Sequence, residues 1–330
     1  MNTSQNKKIA VIGAGYWGKN LVRVFHELGA LYAVCDSQKE NLAEVQKTYK
    51  TPRLFSQWSE IIKSPEIAAV VVATPAITHY EITKMALLSG KDVFVEKPLS
   101  LHCQEAQELK KISEEKKKIL MVDHLLHYHP AVVKLKEMVD KGVLGKLQYI
   151  YSNRLNIGKL RSEENILWSF APHDVSVILS LAGRSPKRVA AEGEAYLQEG
   201  IYDTTITHLS FSDKLKAHIY VSWLHPYKEQ RLVVIGNKAM AVFDDVQKEE
   251  KLCIYPHKIE WINQAPVADK AKKEVISIEA KEPLFQACSH FLKCLQTRER
   301  PLTDAAEAIR VLKVLQEAQT NLDQGKTNGK

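Results

Sequence analysis

This 330-residue chain reads as two domains of different class. The first is a doubly wound α/β domain with a parallel sheet; the second is α+β with a large mixed or antiparallel sheet. Three observations predict this. The length exceeds the roughly 250–300 residues at which a single hydrophobic core stops growing. Apolar runs and amphipathic helical stretches alternate over the first third. Beyond residue 123 strand-like segments follow one another with long connections.

The first domain, 1–123, is built as follows. Lys8–Ile12 is an apolar strand ending in glycines. Tyr16–Leu28 has helical spacing, with Leu21, Val24, Phe25 and Leu28 on one face and Gly29 as a stop. Leu31–Cys35 is a second strand, and Gln38–Tyr49 a helix with Ser37 as its expected N-cap. Ile67–Ala73 is continuously apolar, as a strand covered on both faces is. Thr78–Ser89 is a helix that opens on a capping-box pattern, Thr78 and Glu81. Strands Val93–Val95 and Ile119–Val122 flank the helix Gln104–Lys116. Repeated β-α-β with short connections means a parallel sheet with right-handed crossovers.

The second domain, 124–330, has an amphipathic helix at Pro130–Asp140. Its strands are expected at Leu147–Ser152, Arg188–Ala195, Thr205–Phe211, Lys216–Trp223, Gln230–Ile235 and Ala241–Phe243. A helix at His173–Leu181 interrupts them. Pro283–Leu295 and Asp304–Leu322 are closing helices, and the polar end Gln324–Lys330 is expected to fray.

Composition excludes several classes. Apolar residues at 45% and charged residues at 26% are ordinary for a globular protein and argue against disorder. Five widely spaced cysteines without a C-x-x-C argue for reduced thiols in a cytoplasmic protein, and against a zinc site. No membrane-length apolar run occurs, and the start, Met1–Lys8, is too polar for the core of a signal peptide. The net charge of +7 suits anionic ligands. The lysine-rich run 110–118 includes Glu114 and Glu115 and reads as a solvated helix face rather than a nucleic-acid patch.

Gly13-Ala14-Gly15-Tyr16-Trp17-Gly18 matches G-x-G-x-x-G at the first strand-to-helix turn, the context a dinucleotide fingerprint requires. Gly13 permits the turn, Gly15 lets backbone approach a pyrophosphate, and Gly18 lets helix and strand pack closely. The helix N-terminus offers N–H groups to phosphates. Asp36 ends the second strand about 20 residues on, where an acid accepts hydrogen bonds from the adenosine ribose. Its charge repels a 2′-phosphate, and Ser37 and Gln38 follow instead of arginine. The expected cofactor is therefore NAD on a Rossmann domain.

Glu96-Lys97-Pro98 follows the fourth strand of this reading, and Ala73-Thr74-Pro75 with His79 follows the third. With the glycines, this set resembles the Gfo/Idh/MocA family of sugar oxidoreductases over nearly the whole chain. The resemblance implies cofactor contacts from Thr74, Pro75, His79, Glu96 and Lys97, with Lys97 reaching both nicotinamide ribose and substrate. A lysine at the carboxyl end of a parallel strand stands where open α/β sheets bind ligands, and its ammonium stabilises a developing alkoxide. The resemblance also assigns His173, in Trp168-Ser169-Phe170-Ala171-Pro172-His173, as the general base; imidazole suits that task near neutral pH. Many family members carry Asp four residues before this histidine, where Ser169 stands here, so what orients the ring stays open. Asp174 points elsewhere on a helix. His124, His127 and His129 look like a metal cluster, but the resemblance places them on a substrate-facing junction and no metal is expected.

Two segments, Asn153–Arg161 with Asn165 and Trp168, and Ser222–Lys228 with Trp223 and Arg231, resemble the branch that oxidises the 3-hydroxyl of UDP-N-acetylhexosamines. Arg154, Lys159, Arg161, Lys228 and Arg231 are candidate diphosphate ligands. Trp168 and Trp223 are candidate stacking surfaces. The resemblance favours UDP-N-acetylglucosamine, with its C6-carboxylated form as the alternative. It implies a 3-keto product passed to a PLP aminotransferase, for lipid A or O-antigen. A free sugar or inositol dehydrogenase and an idle NAD-binding regulator are the other readings; retention of Lys97 and His173 argues against the last. The resemblance further implies a homodimer or homotetramer, with no nucleic-acid or membrane partner.

Overall fold

Ile9–Ile12 (β1), all four residues buried, leads through the glycine turn into Gly18–Glu27 (α1), which buries Leu21, Val22, Val24 and Phe25. The computed structural model describes residues 8–158 and 160–327. The chain continues through Leu31–Cys35 (β2), Lys39–Thr48 (α2), Arg53–Phe55 (β3), Trp58–Lys63 (α3), Ala69–Val72 (β4), His79–Leu88 (α4), Asp92–Val95 (β5), Cys103–Glu115 (α5) and Leu120–Val122 (β6). Among the described residues these strands form one six-stranded sheet, in the order β3-β2-β1-β4-β5-β6. Every neighbouring pair is parallel. The order reverses between β1 and β4, the switch point at whose carboxyl edge open α/β sheets bind ligands.

The rest of the chain runs through Pro130–Asp140 (α6), Leu147–Leu155 (β7), Ile166–Ala182 (α7), Arg188–Glu194 (β8), Thr204–Ser210 (β9), Lys216–Ser222 (β10), Glu229–Gly236 (β11), Ala239–Asp244 (β12), Leu252–Ile262 (β13), Ala265–Lys270 (β14), Glu274–Val275 (β15), Pro283–Thr297 (α8) and Ala305–Thr327 (α9). Among the described residues, β7 to β15 make a nine-stranded sheet, ordered β14-β13-β12-β11-β7-β10-β9-β8 with β15 on β13. It is antiparallel except for the β7–β10 pair. Helix α7 packs on β7, β9 and β10, and α6 on β12. The predicted fold class, a Rossmann domain followed by an α+β domain, is the one observed.

The chain divides into two units, residues 1–128 with 281–312, and 129–280 with 313–330. The reading from sequence put the last two helices in the second domain. Helix α8 packs in the first: Phe291 stacks on Phe94 with ring centroids 5.5 Å apart and meets Phe25 edge-on at 6.4 Å. All three rings are buried, and each contributes on the order of 1.5–3 kcal/mol.

Other local expectations change too. Helix α7 begins at Ile166, not His173, because Asn165 caps it and Pro172 is accommodated inside it. A proline removes only its own N–H bond and costs about 3 kcal/mol, which this largely buried helix absorbs. Ser37 does not cap α2; the Asp36 carboxylate accepts from Gln38 N–H instead, at 2.8 Å. Thr78 makes no capping box, since its hydroxyl bonds Thr74 Oγ1 at 2.7 Å. Helix α9 continues past Leu322 to Thr327. The segment 1–7, Lys159 and 328–330, all named in the sequence analysis, lie outside the described residues. Among the described residues no helix is long and apolar enough to cross a membrane.

Candidate active site

The first unit supplies a dinucleotide cradle. Gly13 has φ +95°, and a Cβ there would lie 2.5 Å from the Ala73 carbonyl oxygen. A Cβ on Gly18 would lie 2.1 Å from the Gly13 carbonyl oxygen, so the α1 start sits directly on the turn. A Cβ on Gly15 would meet nothing within 4 Å. Only the middle glycine opens onto free space, as close approach of a pyrophosphate requires. No side chain caps α1, whose first turn carries no acid. Tyr16 and Trp17 lie at this surface.

Asp36 Oδ2 accepts from Ala14 N–H at 2.7 Å, while Oδ1 accepts from Gln38. Ala14 therefore holds the acid in place rather than presenting its N–H to phosphate. A carboxylate has about four lone-pair directions, so the two bonds leave room for ribose hydroxyls. These residues fit NAD.

Around the E-K-P element the structure adds a partner that sequence reasoning missed. Glu96 is hydrogen-bonded to Asp123, and the Trp17 indole N–H donates to Glu96. Burial first, then the Asp123 charge, pushes the Glu96 carboxyl well above the ordinary carboxylate range; burial likewise raises Asp123. Two buried acids in contact hold a proton between them. Asp123 closes β6 as Glu96 closes β5, so strand-end position was the available signal. Lys97 is half-buried beside this pair. His79, expected at the cofactor, is instead 1% exposed, with its ring between two loop carbonyls.

The histidine run resolves into two structural devices. His124 Nδ1 bonds Glu307, and His127 Nε2 lies 3.7 Å from the same carboxylate. Burial opposes the Glu307 charge, but His124 and His127 hold that carboxyl well below the usual range. His129 belongs to the second unit. Its Nδ1 accepts Ala131 N–H at 3.1 Å, capping α6, which leaves the proton on Nε2, 3.4 Å from Asp245.

In the second unit, His173 is half-buried on α7. The neighbouring Asp174 turns to β7, accepting from Ser152 Oγ at 2.5 Å and from Arg154 Nε at 2.6 Å. Burial opposes the Arg154 charge, yet Asp174 holds its pKa above the ordinary value. Arg231 is similarly tied to Asp244 at 2.9 Å. Three of the candidate diphosphate ligands, Arg154, Arg161 and Arg231, thus already face carboxylates. Trp223 is 1% exposed and donates to Asp203 at 2.5 Å, so it is core and its faces are closed to a ligand. Asn165 Oδ1 accepts from Trp168 N–H and its amide donates to Gln319, a capping role. Trp168 is half-buried and donates to Gln319 at 3.1 Å; Arg161 pairs with Glu164 at 3.0 Å. The two sequence segments read as substrate-binding do meet: β7 and β10 pair Leu155 with Ser222, and Ile157 N–H donates to the His225 carbonyl at 2.7 Å.

A parallel sheet with an open glycine cradle, an acid at the end of its second strand and a strand-end lysine fits an NAD-binding oxidoreductase. Residues 7–124 match the oxidoreductase family with NAD-binding Rossmann fold, and residues 132–242 match the GFO/IDH/MocA C-terminal domain. The chain belongs to the Gfo/Idh/MocA oxidoreductase family. It is 30% identical to a protein assigned as an oxidoreductase from Magnetospirillum magnetotacticum MS-1, covering 94% of this chain and 98% of that one, with a TM-score of 0.81. It resembles the UDP-N-acetylglucosamine 3-dehydrogenase of Acidithiobacillus ferrooxidans at 24% identity, covering 92% of this chain and 94% of the relative. That enzyme's structure superposes with a TM-score of 0.85 over 96% of this chain and 97% of the other, at 22% identity. It also resembles the scyllo-inositol 2-dehydrogenase (NAD(+)) of Bacillus subtilis, at 25% identity over 93% of this chain and 91% of the relative.

Proposed function

We propose that the chain oxidises the 3-hydroxyl of a UDP-N-acetylhexosamine, UDP-N-acetylglucosamine above its C6-carboxylated form, and yields the 3-keto sugar nucleotide. The observation that carries this reading is the match to UDP-N-acetylglucosamine 3-dehydrogenase along nearly the full length of both chains. Bound NAD supplies the hydride acceptor. Asp36 orients the adenosine end through its remaining lone pairs. His173 takes the hydroxyl proton as the carbon loses hydride. Lys97 offers its ammonium to the oxygen as negative charge develops there. Lys228, exposed on the surface, is offered to the diphosphate, and Arg161 exchanges its Glu164 partner for it. The keto product is then suited to transamination by a PLP enzyme, in lipid A or O-antigen synthesis.

One observation favours a second reading. Arg154 and Arg231 are engaged by Asp174 and Asp244, which suits a smaller, uncharged polyol such as a free sugar or inositol. A screen of UDP-sugars, free sugars and inositols with NAD, followed at the NADH absorbance, tests both. UDP-N-acetylglucosamine is expected to be turned over and to lose its rate when the UDP group is removed; turnover confined to free polyols overturns the reading. His173→Ala and Lys97→Ala are expected to lower turnover by about 100-fold or more while NADH still binds.

The open face of the nine-stranded sheet supports self-association. Tyr151 stacks on His218 at 5.3 Å, and Tyr149 donates or accepts a bond with His218 at 2.9 Å, forming a half-exposed aromatic row opposite α7. A homodimer or homotetramer burying this row is the proposed assembly, and light scattering showing a stable monomer would sink it.

A further inference from the structure

His79 opens α4 and is almost completely buried. Its Nδ1 lies 2.7 Å from the Pro98 carbonyl oxygen and its Nε2 lies 2.8 Å from the Thr74 carbonyl oxygen. Carbonyl oxygens only accept hydrogen bonds, and a neutral imidazole has one N–H. The neutral ring therefore bonds one carbonyl and turns a lone pair toward the other. Only the imidazolium satisfies both.

The two carbonyls belong to two different loops at the carboxyl edge of the parallel sheet. Thr74 lies in the loop after β4, and Pro98 directly follows Lys97 in the loop after β5. We propose that His79 is a positioning residue: its ring, set between the two carbonyls, straps the Lys97-Pro98 loop to the Thr74-Pro75 loop and so sets where the Lys97 ammonium stands, holding both loops when doubly protonated and one when neutral. Being buried, the ring acts on the cofactor through these loops and not by contact.

The surroundings make the strap responsive to pH. Burial, with the Lys97 charge adding to it, outweighs the pull of the Pro98 and Thr74 carbonyls and holds the ring's pKa below the ordinary histidine value, so the doubly bonded state belongs to the acid side of neutrality. The elements packed on α4 bring other charges: Glu60 and Lys63 on α3, Glu108 on α5, and Asp92 on β5. Glu108 is engaged by Lys84 and Tyr80, and Asp92 by Arg298; Lys97 is the charged group that acts on His79. As pH rises through the ring's pKa, one N–H is lost and one loop is released.

This inference rests on the reading of Lys97 as the nicotinamide-side lysine, so its test uses no substrate. Protein labelled with 15N-histidine is followed by NMR from about pH 5 to about pH 9, a range carried to the acid side because burial lowers this ring's pKa. The His79 signals are identified by their loss in His79→Gln. Two protonated ring nitrogens are expected at the acid end and one at the alkaline end. NADH fluorescence titrations over the same range are expected to show affinity falling about fivefold with rising pH, the effect of one lost hydrogen bond. In His79→Gln, whose amide does not titrate, that fall is expected to disappear. A ring with a single N–H throughout, or a flat NADH affinity in the unaltered protein, overturns the proposal. The expected titration together with normal turnover in Lys97→Ala would instead remove the assigned role of Lys97 and leave the strap standing.

Discussion

Asp36 shapes the glycine turn with the same carboxylate that is proposed to meet the ribose, so a single substitution removes both. Its bonds to Ala14 and Gln38 shape the turn, and its other lone pairs are left for ribose. Asp36→Ala is expected to weaken NADH binding by about 30-fold or more, since a charged hydrogen-bond partner is worth about 1.5–3 kcal/mol. Isothermal titration reads this directly. Glu96 works against stability. A carboxyl whose folded pKa is raised favours folding only while protonated, so its contribution is lost as pH rises above the ordinary carboxylate value. Glu96→Gln retains an acceptor for Trp17 and a donor for Asp123 without the charge. It is expected to raise the unfolding free energy at pH 7 by about 1 kcal/mol while slowing turnover, measured by denaturant melts and initial rates.

At the scale of single elements, α7 carries the general-base candidate and depends on its cap. Asn165→Ala removes the N-cap and the bond to Gln319. A loss of about 1 kcal/mol and a Tm lower by a few degrees are expected, with NADH affinity unchanged. This helix also marks how far the sequence was legible. The glycine turn, β1, β4 and Asp36 could be read because backbone geometry and burial leave their signature in consecutive residues. Pro172 misled, because a proline read alone signals a helix start, while only the packed context reveals a helix that tolerates it. Strand β3 has three residues, none of them buried, so it left no apolar run to detect. The pairings Arg154–Asp174, Trp223–Asp203 and His124–Glu307 join residues of different elements, the last pair far apart in the chain. Each turned a candidate ligand contact into a structural one, and no local pattern announces such a partner. His79 was legible as a motif member, but its burial was not.

On the scale of the whole molecule, each unit contains an acid held by histidine. In the first, His124 and His127 hold Glu307; in the second, His129 and Lys251 hold Asp245, and both carboxyls lie below the ordinary range despite burial. A depressed folded pKa gives stability that is present above the unfolded carboxylate value, near 4.3 for Glu and 3.9 for Asp, and is lost as pH falls toward the folded one. Glu307→Gln is therefore expected to flatten the acid side of a Tm-against-pH curve and to lower Tm at pH 7. Calorimetry between about pH 3 and pH 7 checks this, and an unchanged acid limb would contradict it.

The Phe25-Phe94-Phe291 packing has a consequence for how the protein is made. A ribosome that has delivered all six parallel strands has not yet delivered the helix that covers them, because Phe291 is encoded about 170 residues after β6 ends. Until then Phe25 and Phe94 have each other's edges but not the Phe291 ring that covers both, and the nascent cofactor domain is exposed to wrong associations. The second sheet must be synthesised in the interval, so the first domain to begin folding is not the first to finish. For anyone cutting this gene, the NAD-binding unit is two separate stretches of sequence: residues 1–128 need 281–312 grafted back before they carry a closed core.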